Sequence, residues 1–270
     1  MFIPADRLPP GFADRIGNEA SEIATPLPAA TTILLRDSAP GPEILLMRRN
    51  RSAGFVPGAY VFPGGRVDAA DADPALARSG VPPAAPPPPY WMAALRELFE
   101  EAGVLLARTR AGDFAPDARD PGVATAREAL LEDRSSIAQV LAEFDLAPAF
   151  DRFMPCAHWI TPVAEPRRFD TLFFLAALPP GRTATADARE MSDMLWLTAT
   201  HALDRFRAGR LPMVFPTVRT LEAIEPFRTV DEALEAFRGR SLSPVLPRLV
   251  RVEHGVALVV DEPEENHDGE

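Results

Sequence analysis

Apolar and polar positions follow two different periods along this 270-residue chain. Short apolar runs at 31–36 and 43–48, split by Ser-Ala-Pro-Gly-Pro, predict a β-hairpin. A third short strand, at 59–62, runs into Pro63-Gly64-Gly65. Trp91, Leu95, Leu98 and Ala102 recur at i, i+4, i+7 and i+11, so 91–102 is predicted helical. Gly103 stands where a helix-ending glycine belongs. Further on, the pattern predicts a helix over 124–144 and paired strands at 153–161 and 168–178. A strand near 194–197, helices at 200–208, 217–224 and 230–237, and one or two strands within 249–260 follow. Strands and helices mix without βαβ alternation, which predicts an α+β fold with a mixed or antiparallel sheet.

Composition refines that outline. The chain has 30 prolines, well above the usual share of roughly 5%. Seven lie within 69–90, including the run 86–89, which predicts an irregular or polyproline-like excursion. Residues 1–29 are expected to form an N-terminal arm, 30–260 a single domain, and 261–270, with six acids and no Arg, a solvated tail. All 28 basic residues are Arg. Without Lys, Schiff-base, P-loop and protein-kinase chemistries are excluded. The formal charge of −11 argues against a nucleic-acid polymer or an acidic membrane as partner. The single cysteine, Cys156, excludes an internal disulfide. No signal-like start and no apolar run near the roughly 18–20 residues of a membrane span is found. A soluble, cytoplasmic protein is expected.

The chemistry concentrates in Arg96-Glu97-Leu98-Phe99-Glu100-Glu101-Ala102-Gly103-Val104. On a helix, Glu97, Glu100 and Glu101 share one face, where like charges repel by roughly 0.2–0.5 kcal/mol per pair. Glu100 and Glu101 also sit in the last turn, where the helix dipole disfavours anions by roughly 0.3–1 kcal/mol each. A bare E-x-x-E-E is commonly just a solvated acidic face, and Arg96 with Glu100 is an ordinary i,i+4 pair. The upstream Gly-Gly turn, the strand before it and the apolar Leu98 and Val104 favour a bound cation instead. Hard oxygen ligands indicate Mg²⁺ or Mn²⁺.

This segment resembles the Nudix hydrolases, whose box reads G-x5-E-x7-R-E-U-x-E-E-x-G-U, with U a bulky aliphatic residue. The second half matches throughout, from Arg96 to Val104; the first matches at Gly65, after Phe62-Pro63-Gly64. Two departures stand out. Asp71 occupies the position of the first acid, and 24 residues rather than seven separate it from Arg96. Such an interrupted box is similar to one subgroup that includes peroxisomal coenzyme A diphosphatases. So are F-V-P-G-A-Y-V-F at 55–62, R-F-D-T at 168–171 and M-V-F-P-T at 213–217. A coenzyme A-type motif matches in part, at Leu45, Leu46, Arg49, Gly58 and 62–65, with Asn50 and Gly54 as departures.

The resemblance implies a Nudix fold, a mixed sheet sandwiched between helices with additional C-terminal helices. It implies metal-dependent cleavage of the pyrophosphate in a nucleoside diphosphate derivative. Coenzyme A or acyl-coenzyme A is the first candidate; ADP-ribose, NADH, dinucleoside polyphosphates, or a non-catalytic nucleotide-binding module are the rivals. Glu97, Glu100 and Glu101, with the Gly65 carbonyl, would hold the metal, and Arg96 would orient a ligand carboxylate. Glu190, in a loop before a strand, or one of the helix glutamates would be the general base, with Asp193 as competitor. Arg48, Arg49, Arg51 and Phe62 are the expected substrate contacts, although basic residues at strand ends commonly face solvent. The insertion is expected to form a flap at the substrate or at a homodimer contact. His158, Trp159, Phe173 and Phe174 read as core residues, and Cys156 lacks a nucleophile's surroundings.

Overall fold

The apolar runs at the start of the chain are buried on both sides of a sheet. In the computed structural model, which describes residues 1–4, 16, 23–50, 56–73, 86–240 and 242–260, strand β1 is Phe2–Pro4, β2 is Leu27–Arg36 and β3 is Glu43–Arg49. Strand β4 is Tyr60–Val61 and β5 is Gly64–Arg66; helix α1 spans Pro88–Ala102. There follow β6 (Ala107–Arg108), α2 (Pro121–Leu131), α3 (Ile137–Glu143), β7 (Ala147–Pro148), β8 (Phe153–Ile160), β9 (Phe169–Ala177) and β10 (Met191–Thr198). The chain continues through α4 (Ala199–Arg207), α5 (Phe215–Ile224), α6 (Val230–Phe237), β11 (Arg248–Val252) and β12 (Gly255–Val259).

The main sheet runs β10-β3-β2-β9-β8, with β4 beside β3 and β5 beside β2. Only the β2–β9 pair is parallel, so the sheet is mixed, as expected. Side chains alternate across each strand. Leu34, Leu45 and Met47 enter a core with α1, α2 and α3, while Ile33, Leu35, Ile44 and Leu46 enter a second core with α4, α5 and α6. Helices on both faces explain why these strands are uninterrupted apolar runs. Among the described residues no helix is long and apolar enough to cross a membrane.

The expected hairpin is short. Strands β2 and β3 pair only at Leu35↔Ile44 and Arg36↔Glu43. Beyond that point they splay, and the chain from Tyr60 to Arg66 enters the gap: β4 pairs with β3 at Met47 and Arg48, and β5 pairs with β2 at 29–31. This wedge delivers Gly64 and Gly65 to the helix face of the sheet.

Other expectations shift at their edges. Helix α1 starts at Pro88, inside the proline run, because prolines at the first two helical positions lack only N–H groups that a helix leaves unpaired there. The helix expected over 124–144 is two. Asp133 adopts a left-handed φ of 53° after α2, and Ser136 with Gln139 forms a capping box that starts α3 anew. β12 pairs with both β11 and β1, so Phe2–Pro4 of the expected arm belongs to a three-stranded sheet, and β2 already begins at Leu27. The tail at 261–270 and insertion residues 74–85 lie outside the described residues.

Candidate functional site

Helix α1 lies across the sheet, its apolar side buried through Trp91, Leu95, Leu98, Phe99 and Ala102. The Thr32 hydroxyl donates to the Ala94 carbonyl at 3.2 Å, and Trp91 packs on Phe174 with ring centroids 5.0 Å apart. Gly103 closes the helix with φ 67°, which accounts for glycine at that position. These anchors set the polar side of the last two turns against the Gly64-Gly65 wedge.

Arg96 organises that face. Its guanidinium grips Asp71 with two bonds, Nε to Oδ1 at 3.0 Å and Nη2 to Oδ2 at 2.9 Å, and Nη2 also donates to the Arg66 carbonyl at 2.8 Å. Nη1 donates to Glu97 Oε1 at 2.8 Å and to Glu100 Oε2 at 2.9 Å. Asp71 reaches because residues Ala69–Ala72 form a 3₁₀ turn that folds it back, its Oδ2 also accepting the Asp68 N–H at 2.8 Å. The shorter acid thus spans the interruption in the box. Arg96 side-chain exposure is 7% and that of Asp71 is 0%, so the pair is a buried lock.

Glu101 is buried, and Gly64 N donates to its Oε2 at 2.9 Å. A Cβ at Gly65 would clash with the Glu97 carboxylate as Arg96 holds it, so glycine lets the wedge approach this closely.

Desolvation pushes all three helix carboxyls up, Glu97 to about 7 and Glu100 to about 8, with Arg96 opposing in both cases. Glu101 is raised well above the carboxylate range by burial and by the charge of Glu97, with the Gly64 N–H opposing. Arg96 is fully engaged by Asp71, Glu97 and Glu100, with Asp68 at 3.7 Å, so with Glu101 beside Glu97 the cluster needs further positive charge to ionise fully.

Among the described residues no three Asp, Glu, His or Cys side chains converge at metal-ligating geometry. The donor set nevertheless fits a hard divalent cation. The bonds from Arg96 and Gly64 take Glu97 Oε1, Glu100 Oε2 and Glu101 Oε2, leaving the second oxygen of each glutamate outside them. These buried carboxyls are expected to couple metal binding to pH. Their folded-state pKa values lie above the unfolded range, so the stability from the neutral forms is present at low pH and lost as pH rises through about 7 to 8. A divalent cation competes with those protons, so its affinity should rise over the same window. The thermal midpoint in chelator is expected to fall from about pH 6 to about pH 8.5, with Mg²⁺ restoring it. A metal-free midpoint that rises over this interval would contradict the assignment.

The remaining expected residues divide. Glu190 is exposed in the turn before β10, and its carbonyl accepts Asn50 N–H at 2.9 Å. Its charge is among those raising Glu101, and that of Arg49 is among those lowering it; Met191, next to Glu190, pairs with Arg49 across β10 and β3. Arg49 Nε is buried without a hydrogen-bond partner among the described residues. Arg48 departs from expectation: one residue along the strand, it turns to the other face, its guanidinium 5.7 Å from the Tyr60 ring centroid and its Nε on the Gly58 carbonyl at 3.3 Å. Asp193 goes the same way, its Oδ2 accepting the Tyr60 hydroxyl at 2.6 Å. Phe62 is also corrected. It is buried in the second core, edge-on to Phe173 at 6.4 Å, on the side of the sheet opposite helix α1. Arg51 lies outside the described residues.

A bulge between Pro155 and Ala157 shifts the alternation of β8. Cys156 therefore enters the second core, with its thiol pushed up by burial, while His158 bonds Asp170, the orienting acid that its sequence neighbours did not reveal. Burial and the same Asp170 carboxylate push the Tyr90 hydroxyl of α1 up. Sequence reasoning missed Arg127, a buried residue of α2 bonded to the end of α1; within a predicted helix nothing distinguishes it from a surface arginine.

The NUDT19 Nudix domain family matches residues 87–224. The chain is 28% identical over 271 residues to acyl-coenzyme A diphosphatase NUDT19 of Gallus gallus, covering 79% of this chain and 72% of that protein. The Xenopus laevis protein of the same name is 24% identical over 263 residues, covering 79% and 68%. Among solved structures, a NUDIX hydrolase from Alicyclobacillus acidocaldarius superposes with a TM-score of 0.69 at 31% identity, covering 82% of this chain and 99% of that one.

Proposed function

Since the chain belongs to the Nudix hydrolase family, with a NUDT19-type Nudix domain, we propose that it is a Mg²⁺- or Mn²⁺-dependent diphosphatase of coenzyme A or acyl-coenzyme A. The observation that carries the chemistry is one buried Arg, locked to Asp71, presenting Glu97 and Glu100 beside Glu101 under the Gly64-Gly65 wedge. The names of the relatives and the partial coenzyme A-type motif around Leu45, Leu46, Arg49 and Gly58 support the substrate.

Glu97, Glu100 and Glu101 would hold the metal, with the Gly65 carbonyl as a further donor. Bound there, a divalent cation supplies charge neutralisation at the pyrophosphate and lowers the pKa of a water. Arg96 keeps two of the carboxylates in place and, being fully engaged, stays out of substrate contact. Arg49 offers its Nε–H, which has no partner among the described residues, to a phosphate oxygen, the charge-assisted contact that Arg forms best. Glu190 takes the proton of the attacking water. A new bond forms between water oxygen and phosphorus, the bridging P–O bond breaks, and two phosphomonoesters leave.

The test is a panel of coenzyme A, acyl-coenzyme A, ADP-ribose, NADH and diadenosine polyphosphates with Mg²⁺ or Mn²⁺, products identified by mass. Coenzyme A or its thioesters should give the highest kcat/KM; a preference for another member by about tenfold, or about 1.4 kcal/mol in transition-state binding, would reassign the substrate. Glu190→Gln should lower kcat by roughly 10²–10⁴-fold with KM nearly unchanged. Near-wild-type turnover would remove Glu190 as the base.

A further inference from the structure

Helix α1 ends in carbonyls that need partners, and one buried side chain bonds two of them. Arg127, on α2, donates from Nε and Nη2 to the Glu100 carbonyl at 3.0 and 2.7 Å, and from Nη2 to the Glu101 carbonyl at 3.0 Å. The same guanidinium reaches Thr185, with Nη2 to its carbonyl at 2.9 Å and Nη1 to its hydroxyl at 3.2 Å. Two backbone bonds run alongside: Thr185 N–H to the Ala102 carbonyl at 2.8 Å and Asp187 N–H to the Glu101 carbonyl at 2.9 Å. The next residue of α2, Glu128, holds Arg189 from outside at 2.6 Å. Arg189 immediately precedes Glu190. Two adjacent α2 residues therefore grip both sides of the segment that leads to Glu190.

We propose that Arg127 is a positioning residue that fixes the Glu190 loop to the C-terminal end of the glutamate helix, so that Glu190 and the helix carboxylates keep one relative geometry. The inference rests on the diphosphatase reading with Glu190 as base. Arg127 has no route to substrate, being buried behind the helix end; it acts through the loop. Its position on the carbonyls also places a positive charge at the negative end of the helix dipole, where three glutamates add to the strain. Misplacing a reacting group by about 1 Å can cost on the order of 10²-fold in rate, so a loosened loop should be felt in kcat.

Arg127→Lys keeps the charge but cannot hold the Glu100 and Thr185 carbonyls together in a fork; Arg127→Met removes both. Kinetics and amide exchange on the full chain provide the test. In the metal-free protein, exchange at the Thr185 and Asp187 amides should quicken in both variants. With coenzyme A substrate and Mg²⁺, kcat per folded molecule should fall about tenfold or more in Arg127→Lys and further in Arg127→Met, with KM within about twofold. On a Glu190→Gln background, Arg127→Lys should cost less than about twofold, because both changes act on the same step. Unchanged amide protection, or a kcat loss that multiplies in full on that background, would overturn the positioning role. If the wild type cleaves no member of the panel, the diphosphatase reading fails, and the exchange measurement still decides what Arg127 holds. Should Arg127→Met not fold, the lysine variant carries the test.

Discussion

Glu100→Gln and Glu101→Gln should each abolish metal-dependent turnover, by roughly 10³-fold or more, while leaving the fold intact. Glutamine keeps size and one carbonyl oxygen, so Gly64 N–H retains its acceptor at 101 and Arg96 retains one at 100. What disappears is the negative charge. That charge is costly here, because burial raises both carboxyls. Removing it should leave metal-free stability equal or higher. The expected signature is a pair of opposite movements: activity lost, metal-free thermal midpoint held or raised, and the Mg²⁺-induced rise in that midpoint diminished. Near-wild-type activity in both variants would refute the metal-site assignment.

The largest stability effect should come from Arg96→Met. Methionine fills comparable space but strands Asp71, whose side chain is fully buried and keeps only the Asp68 N–H. Breaking a buried ion network on one side costs about 3–5 kcal/mol. For a chain of this size that corresponds to a fall of roughly 10 °C in the thermal midpoint. Replacing the partner too, as Asp71→Asn with Arg96→Met, should recover part of the loss, because the stranded charge is then gone. A single-variant fall of less than about 2 °C would show that the Asp71–Arg96 pair is not the lock that spans the interrupted box.

These two outcomes separate what the glutamates do from what Arg96 does. The first group is costly to stability and expected to be indispensable to chemistry; Arg96 is the residue that makes the arrangement tolerable.

Most of the site was legible because it is local. The apolar spacing of Trp91, Leu95, Leu98 and Ala102 identified the helix, and the same period placed Glu97, Glu100 and Glu101 on its other side. Strand periodicity located the sheet, and burial on both faces explained its unbroken apolar runs. Errors arose where a decision depended on distant parts of the chain. Arg48 and Arg49 are adjacent and alike, yet only register against β4 and β10 determines which faces the glutamates. Phe62 directly precedes the Pro63-Gly64-Gly65 turn, but the splay of β2 from β3 turns it into the core. The bulge in β8 sends Cys156 into one core and His158 to Asp170 on the other face, which simple strand alternation does not predict.

By itself, then, the sequence determined the two periodicities, the three-carboxylate face and the exclusion of lysine-based phosphate chemistry. All of these depend on neighbours within about two helical turns or on residue type alone. Only the tertiary structure decided that Asp71 closes on Arg96 across 24 intervening residues, that Arg49 and Glu190 come to Glu101, and that Arg127 fastens the helix end to the loop. Those contacts join elements far apart in the chain. Their geometry follows from how strands splay and helices pack, which no local spacing encodes.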